Sequence, residues 1–432
     1  MNESKKIECM KIKLTIIFLA FFAILWEGKC QVMVKKNFEL AESQYWNMLN
    51  KAMDINCFPR TVKQDRLWCV PAEDWTSGFW PGALWYLYEY TKNNSWKDEA
   101  MKWTDSLKDI QYFVGHHDVG FMMYCSYGNG FRLTANPEYI PILVQSAKSL
   151  CKRYSYNVGC IQSWNARMSV GGKNAWKYPV IIDNMMNLEL LFWATQATND
   201  SVYWNIAVSH AEKTMKNQIR ADFSCYHVVN YDPDTGDVLH RQTAQGFADN
   251  STWARGQAWG VYSFTMVYRY TRDERFLRTA INMADFFLNH KSLPDDGIPY
   301  WDFNVGEEGF NPDFEYKPSD YSMIPRDVSA ACIVASALFE LCGYVSDVDK
   351  KQTYYNAAIK ILNNLSTDYY RAKENENHNF ILKHSVGNLP GDNEVDVPLI
   401  YADYYFLEAL IRYNTRMLSS DLFSTRTGAV NN

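Results

Sequence analysis

The stretch Ala254–His290, ARGQAWGVYSFTMVYRYTRDERFLRTAINMADFFLNH, reads as two helices, 254–271 and 273–290, divided only at Arg272-Asp273. A joint this short folds the second helix back on the first as an antiparallel hairpin. Asn199-Asp200 divides 183–198 from 200–218 in the same way. Working outward, amphipathic segments separated by Gly, Pro, Asn and Asp clusters predict further helices at 35–54, 77–93, 95–113, 119–127, 135–152, 326–344, 348–366 and 400–416, twelve in all. After Ser329, the residues Ala330, Ile333, Val334, Ala337, Leu338 and Leu341 follow the i, i+3, i+4 spacing of one buried stripe. Long joints at 155–182, 219–253, 291–325 and 367–398 fall between the hairpins. Twelve helices with alternating short and long joints predict an all-α fold, an (α/α)6 barrel: a closed ring of six helical hairpins with function at the long-joint end. The absence of a repeat of about 34 or 40 residues argues against an open solenoid. No Gly/Ser linker interrupts residues 31–432, which read as a single domain.

The chain has 432 residues, 47% hydrophobic and 21% charged, a composition that buries a large core and excludes disorder. Its formal charge of −6 offers no cationic field to a phosphate backbone, which argues against nucleic acid as a partner. Aromatic residues make up 16%, with 15 Trp and 29 Tyr, and their flat faces and polar edges suit sugar rings as well as helical cores. Lys5, Lys6, Lys11 and Lys13 flank the start of the apolar run Leu14–Leu25, the layout of an export signal over residues 1–30. The run is too short to cross a bilayer of roughly 30 Å as a helix. The expectation is an exported protein, periplasmic or secreted, with no stable membrane span. Cys30 leaves room for a lipid anchor, which Lys29 immediately before it disfavours. Beyond the leader there is no CxxC pair; Cys57 with Cys69, and Cys151 with Cys160, are close enough in sequence to bridge in an oxidising compartment. Cys332 and Cys342 read as buried small hydrophobes.

Four stretches depart from ordinary helix composition. In Asp74-Trp75-Thr76-Ser77-Gly78-Phe79-Trp80-Pro81-Gly82, the two Trp beside two Gly suit either a ring-stacking wall or packing under the helix. In His116-His117-Asp118-Val119-Gly120-Phe121, Asp118 fits a helix cap and a catalytic carboxylate equally. Adjacent His side chains point apart, and no HExxH or related spacing occurs, so no metal and no cofactor are expected. Asp183 follows an apolar run and opens the Met-rich segment Asn184-Met185-Met186-Asn187, where burial would raise a carboxyl pKa; it also fits an N-cap. The fourth stretch runs from His227 through Gln245-Gly246 to Trp253-Ala254-Arg255-Gly256-Gln257-Ala258-Trp259. Arg255 among aromatics suits a fork for a substrate carboxylate, and His227 fits either a donor to the same anion or a core hydrogen bond.

In this order and spacing, DWTSGFWPG (74–82), HHDVGF (116–121), IIDNMMNLELL (181–191), STWARGQAWGVYSF (251–264), PRDVSAACIVASAL (325–338) and DVPLIYADYYFLEAL (396–410) resemble glycoside hydrolase family 88, the unsaturated glucuronyl hydrolases. The resemblance implies the same (α/α)6 barrel and an enzyme that removes a 4,5-unsaturated uronic acid from the non-reducing end of lyase-generated, glycosaminoglycan-type oligosaccharides. In that chemistry the vinyl ether is hydrated at its C4=C5 double bond, and the two-carboxylate displacement of most glycosidases is not used. By resemblance Asp183 is the catalytic acid/base and Asp118 the carboxylate that keeps it protonated. Substrate contacts map onto Trp75, His227, Arg241, Thr243, Gln245, Trp253, Arg255 and Trp259. The family often has His before the Gln of the QG pair, where this chain has Ala244. A sulfate-receiving loop of some members maps to Lys383–Pro390, with Lys383 and Ser385 as its candidates. The alternatives on this barrel are an unsaturated rhamnogalacturonyl hydrolase, a carbohydrate-binding protein without activity, and a sugar epimerase. For an epimerase, His116 and His117 lie too close together to act from facing helices.

Overall fold

Thr91-Lys92-Asn93, Thr134-Ala135-Asn136, Thr198-Asn199-Asp200 and Thr271-Arg272-Asp273 are four copies of one turn. In the computed structural model, which describes residues 31–51 and 57–418, the middle residue of each copy is left-handed, with φ of 57°, 52°, 57° and 55°. Each Thr hydroxyl donates to the carbonyl four residues back. It also accepts the backbone N–H of the following Asn or Asp at 3.2 Å. The Asn or Asp side chain then accepts an N–H two residues on, at 2.9–3.0 Å, and Asn93, Asp200 and Asp273 so cap the next helix, while Asn136 opens a turn before α6. At three of the four, one helix is stopped and the next begun within three residues, which is why these joints are short.

The helices are α1 (31–51), α2 (Phe79–Thr91), α3 (Asn94–Asp105), α4 (Val119–Met123), α5 (Asn129–Thr134), α6 (Tyr139–Cys151), α7 (Leu188–Thr198), α8 (Ser201–Asn217), α9 (Ala254–Thr271), α10 (Glu274–Asn289), α11 (Val328–Leu341), α12 (Val348–Leu365) and α13 (Ile400–Leu418). A π-helical turn, Tyr124–Gly128, joins α4 and α5 into one rod. The inner ring is α2, the α4–α5 rod, α7, α9, α11 and α13, each packed on the next, with α13 closing back on α2. Inner helices are buried nearly all round: α9 buries every residue from Ala254 to Val267. Outer helices bury one stripe, as α10 does with Phe276, Ala280, Met283, Ala284 and Phe287. The (α/α)6 reading of the sequence is therefore the observed architecture.

Three boundaries differ from the sequence reading by five residues or more. The segment expected at 95–113 ends at Asp105 and resumes as a 3-10 turn, Lys108–Tyr112. The helix expected to stop at 127 runs on to Thr134, because Gly130 serves packing: a Cβ there would lie 2.7 Å from the Tyr139 ring. The helix expected from 183 opens as a 3-10 turn, Ile182–Asn187, whose first N–H is tied to the carbonyl of His227 at 3.1 Å.

The strands lie in connections that lead into inner helices, at the end where those helices begin. They are β1 (Phe58–Lys63) with β2 (Arg66–Val70), β3 (Tyr154–Ser155) with β4 (Cys160–Ile161), β5 (Arg167–Met168) with β6 (Ala175–Trp176), and β10 (Ser385–Asn388) with β11 (Asn393–Val397). An antiparallel sheet of β7 (Tyr178–Ile181), β8 (Val228–Tyr231) and β9 (Val238–Gln242) completes them. Among the described residues no helix is long and apolar enough to cross a membrane, and the cysteines are free thiols. The proposed leader, residues 1–30, lies outside the described residues.

At the opposite end, the inner helices enclose a cavity of about 240 Å³ lined by Glu89, Arg132, Glu189, Arg269, Glu408 and Arg412 among others. Its charges answer one another: Arg132 with Glu89, Arg269 with Glu189, Arg412 with Glu408. It reads as a self-satisfied plug of the ring. At the start of α13, buried Asp403 accepts the N–H groups of Ile381 at 2.8 Å and Leu382 at 2.9 Å and the hydroxyl of Tyr45 at 3.2 Å. These bonds anchor the joint leading to β10. Replacing Asp403 by Ala orphans three buried donors and is expected to cost about 3 kcal/mol or more, read from the denaturant midpoint.

Candidate active site

The site is built where the inner helices begin. Gly120, in the first turn of α4, lies against the 182–187 turn so closely that a Cβ would sit 2.5 Å from Asn187 Cα. The Asn187 side-chain oxygen accepts the N–H of Phe121 at 2.8 Å. That contact brings Asp118, at the entrance of α4, beside Asp183. Pairing of β7 with β8 sets Ile181 opposite Val228, and this register places Asp183 beside His227. Neither carboxylate caps a helix. Asp118 occupies the cap position without accepting a cap bond, and the cap position of the 3-10 turn is Ile181.

Asp118 is held between two imidazoles, with His116 Nδ1 at 3.1 Å and His117 Nε2 at 3.3 Å. Burial works against its charge, but the histidines and Asn187 outweigh burial and hold it below the ordinary carboxylate range. His117 is pushed down to about 4 by burial and stays neutral. Asp183 is 8% exposed, and its Oδ2 has no hydrogen-bond partner among the described residues. Burial pushes its pKa up to about 7; Arg255 pulls it down, and the charge of Asp118 raises it further. One carboxyl is thus ionised at neutral pH while its neighbour is close to half protonated.

His227 Nδ1 accepts the backbone N–H groups of Ala244 at 3.1 Å and Gln245 at 3.2 Å. An imidazole nitrogen that accepts carries no hydrogen, so the proton of the neutral ring sits on Nε2. Nε2 lies 3.8 Å from Asp183 Oδ2 and is otherwise unpaired. Burial, then Arg255, holds the ring pKa down to about 3, so His227 offers a fixed N–H and no exchangeable charge. The hydroxyl of Tyr401 is likewise buried and unpaired, and the Trp259 indole N–H is turned toward Asp183. Buried polar atoms without partners cost roughly 1–3 kcal/mol each. Several at one spot mark where a ligand completes the hydrogen bonding. Aromatic walls surround them: half-buried Trp75 packs on Tyr401 at 4.9 Å and Phe121 at 5.8 Å, and Trp253 lies 4.3 Å from the His227 ring.

A sequence model of Glycosyl Hydrolase Family 88 matches residues 48–272. An unsaturated glucuronyl hydrolase of Formosa agariphila is 43% identical over 388 residues, covering 89% of this chain and 92% of that protein. The chain belongs to glycosyl hydrolase family 88. An unsaturated chondroitin disaccharide hydrolase of Streptococcus pneumoniae is 34% identical over 82% of the chain and 86% of its own length. Among solved structures, an unsaturated glucuronyl hydrolase specific for heparin superposes with a TM-score of 0.81 at 43% identity, covering 89% of this chain and 97% of that one. The protein is a glycoside hydrolase, as its sequence implied.

Of the residues expected to form this family 88 site, the fold gathers Asp118, Asp183, His227, Trp75, Trp253 and Trp259 around one point, with Thr243 and Gln245 on the adjoining loop. Thr243 Oγ1 lies 3.5 Å from His227 Nδ1, and Gln245 Nε2 donates to the carbonyl of Gly387 at 2.9 Å. Three expectations are corrected. Arg241 alternates to the other face of the β7–β8–β9 sheet; it is paired with Val229, and its Nε donates to the carbonyl of Asn217 at 2.8 Å. Arg255 is 1% exposed and is not an open fork: its guanidinium bonds Asp327 at 2.8 Å, the carbonyl of Gly387 at 2.6 Å and the carbonyl of Val386. It acts as a fixed positive charge behind Asp183 and as the anchor of β10. Lys383 donates to the carbonyl of Asp368 at 2.6 Å, and Ser385 is fully buried and so not presented to a sulfate. Tyr401 was not singled out from sequence, and His117 and Asn187 were named there without a role at this site, although Tyr401 opens an inner helix just as Asp118 and Arg255 do.

Proposed function

We propose that this hydrolase removes the 4,5-unsaturated uronate from the non-reducing end of lyase-generated glycosaminoglycan oligosaccharides by adding water across C4=C5. The observation that carries the reading is the unpaired, nearly buried Oδ2 of Asp183 on a carboxyl whose pKa is about 7. Such a group holds a proton until an electron-rich alkene arrives. Asp183 gives its proton to C4 and positive charge develops at C5. Water adds its oxygen to C5 and returns a proton to the Asp183 carboxylate. The resulting hemiketal opens to a ketone at C5, and the hemiacetal left at C1 collapses to expel the next sugar. Only water is consumed, and Asp183 ends as it began.

The other residues fit this sequence. Asp118, ionised between His116 and His117, disfavours a second negative charge and so returns Asp183 to its acid form. Its negative charge also favours the cation developing at C5. The Nε2–H of His227 is a neutral donor for a sugar or carboxylate oxygen, and the faces of Trp75 and Trp253 suit the ring. The leader over residues 1–30 is read as an export signal, which places the enzyme where extracellular lyases release such fragments.

Because the acid form of Asp183 reacts first, kcat/KM is expected to be level below pH 7 and to fall about tenfold per unit as pH rises above it. A pH–rate profile checks this. Loss of the 4,5-alkene absorbance on mixing the enzyme with unsaturated chondroitin, hyaluronan or heparin disaccharides tests the function. Persistence of the signal with all of them overturns it.

A further inference from the structure

The β5–β6 hairpin carries a cation that the proposed chemistry does not use. Arg167 lies with its guanidinium carbon 4.4 Å from the centre of the Trp164 ring and 5.5 Å from that of Trp176, and the two indoles are 5.6 Å apart. Among the described residues no carboxylate pairs with it, and desolvation against its surroundings holds its pKa down. The other arginines near the site are committed, Arg255 to Asp327 and Arg153 to the carbonyls of Gln162 and Val114. An arginine stacked on indole is pre-oriented, with its five N–H donors in a fixed plane.

Position ties this arm to the catalytic pair. The backbone of Trp164 bridges that of His116, and neighbouring Ser163 accepts the N–H of Ile181, two residues before Asp183, at 2.9 Å. Trp176 packs in one cluster with Ile181, Val228 and Ala244, and the N–H of Ala244 is bonded to His227. Val170, at the tip of the hairpin, lines a small pocket with Thr243, Ala244, Phe314 and Pro390. The hairpin therefore forms the rim beside Asp183 and His227, outward of the point where C4 must sit. What extends outward from there is the sugar joined to C1 of the uronate.

We propose that Arg167, on its Trp164–Trp176 platform, is an anion-binding arm that recognises a sulfate on the sugar next to the unsaturated uronate. This inference rests on the hydrolase reading for the direction in which the substrate lies. Two parallel N–H donors match two sulfate oxygens. Arg167 also disfavours a charge on His227, behind burial and Arg255, as a cation close to that ring must.

The test compares wild type with Arg167→Gln on unsaturated disaccharides that share one backbone and are unsulfated, O-sulfated or N-sulfated on the second sugar. Expected is a fall in kcat/KM for at least one sulfated substrate about tenfold or more beyond the fall for the unsulfated one. The substrate that shows it identifies the source of the anion. Binding of the same sugars to Asp183→Asn, with and without Arg167→Gln, measures the preference with no turnover. Equal losses across all substrates, or none, overturn the arm. If wild type turns over no unsaturated disaccharide the hydrolase reading fails by itself, and the affinity ratio still decides the role of Arg167.

Discussion

Asp183→Asn is expected to bind unsaturated disaccharide with near wild-type affinity and to turn it over slower by about 10³-fold or more. The amide keeps the shape of the carboxylic acid and presents a donor in place of the acid O–H, so contacts made by the ground state survive. It cannot deliver a proton to carbon, and it cannot take one from water. The loss therefore belongs in kcat and not in KM. Calorimetric affinity beside steady-state rates checks the split. Comparable loss of binding would return Asp183 to a structural role.

Asp118→Asn is expected to lower kcat about 10²-fold at neutral pH and to move the alkaline limb of the pH profile toward lower pH. The sign follows from the electrostatics. The Asp118 charge raises the Asp183 pKa, so removing it lets Asp183 lose its proton earlier and narrows the range in which the acid form is available. His116 should change with it. Burial lowers its pKa, but the hydrogen bond and charge of Asp118, with the Glu73 carbonyl, together outweigh burial, so loss of Asp118 lowers it. A purely structural contribution from Asp118 would lower the rate without moving the limb.

The ring was legible from joints more than from helices. Asn199-Asp200 and Arg272-Asp273 gave the hairpins away, and the structure shows why: each belongs to a Thr–left-handed–Asn/Asp turn whose side chains close both helix ends. The same turn stands at Thr91-Lys92-Asn93 and Thr134-Ala135-Asn136, where the sequence carries the signal equally. Gly130 makes room for Tyr139 and does not break the rod.

At the site, residues that open inner helices were the readable ones, because a polar side chain after a long joint and before an apolar run stands out. Asp183 and Arg255 were singled out that way and Asp118 by its place after His116-His117 at a helix entrance, while the catalytic roles of the two carboxylates came from the family resemblance. Tyr401 satisfies the same rule but hides among the aromatics of Tyr401-Ala402-Asp403-Tyr404-Tyr405. What sequence could not supply was direction. Arg255 and Arg241 have the right chemistry for a uronate, yet the pleat of β9 turns Arg241 away and Asp327 with β10 consumes Arg255. Raised pKa alone does not separate sites either: Asp403 also reaches about 7 through burial, but both its oxygens are satisfied, whereas Asp183 Oδ2 is open.

Secondary deuterium isotope effects distinguish protonation of the alkene from attack at the anomeric carbon most directly. Protonating C4 changes that carbon from trigonal to tetrahedral in the slow step, so substrate deuterated at C4 should react faster than its protium form, with no appreciable effect of deuterium at C1. A normal effect at C1 with none at C4 would mean that the glycosidic bond breaks first, and Asp183 would then not be protonating a sugar double bond.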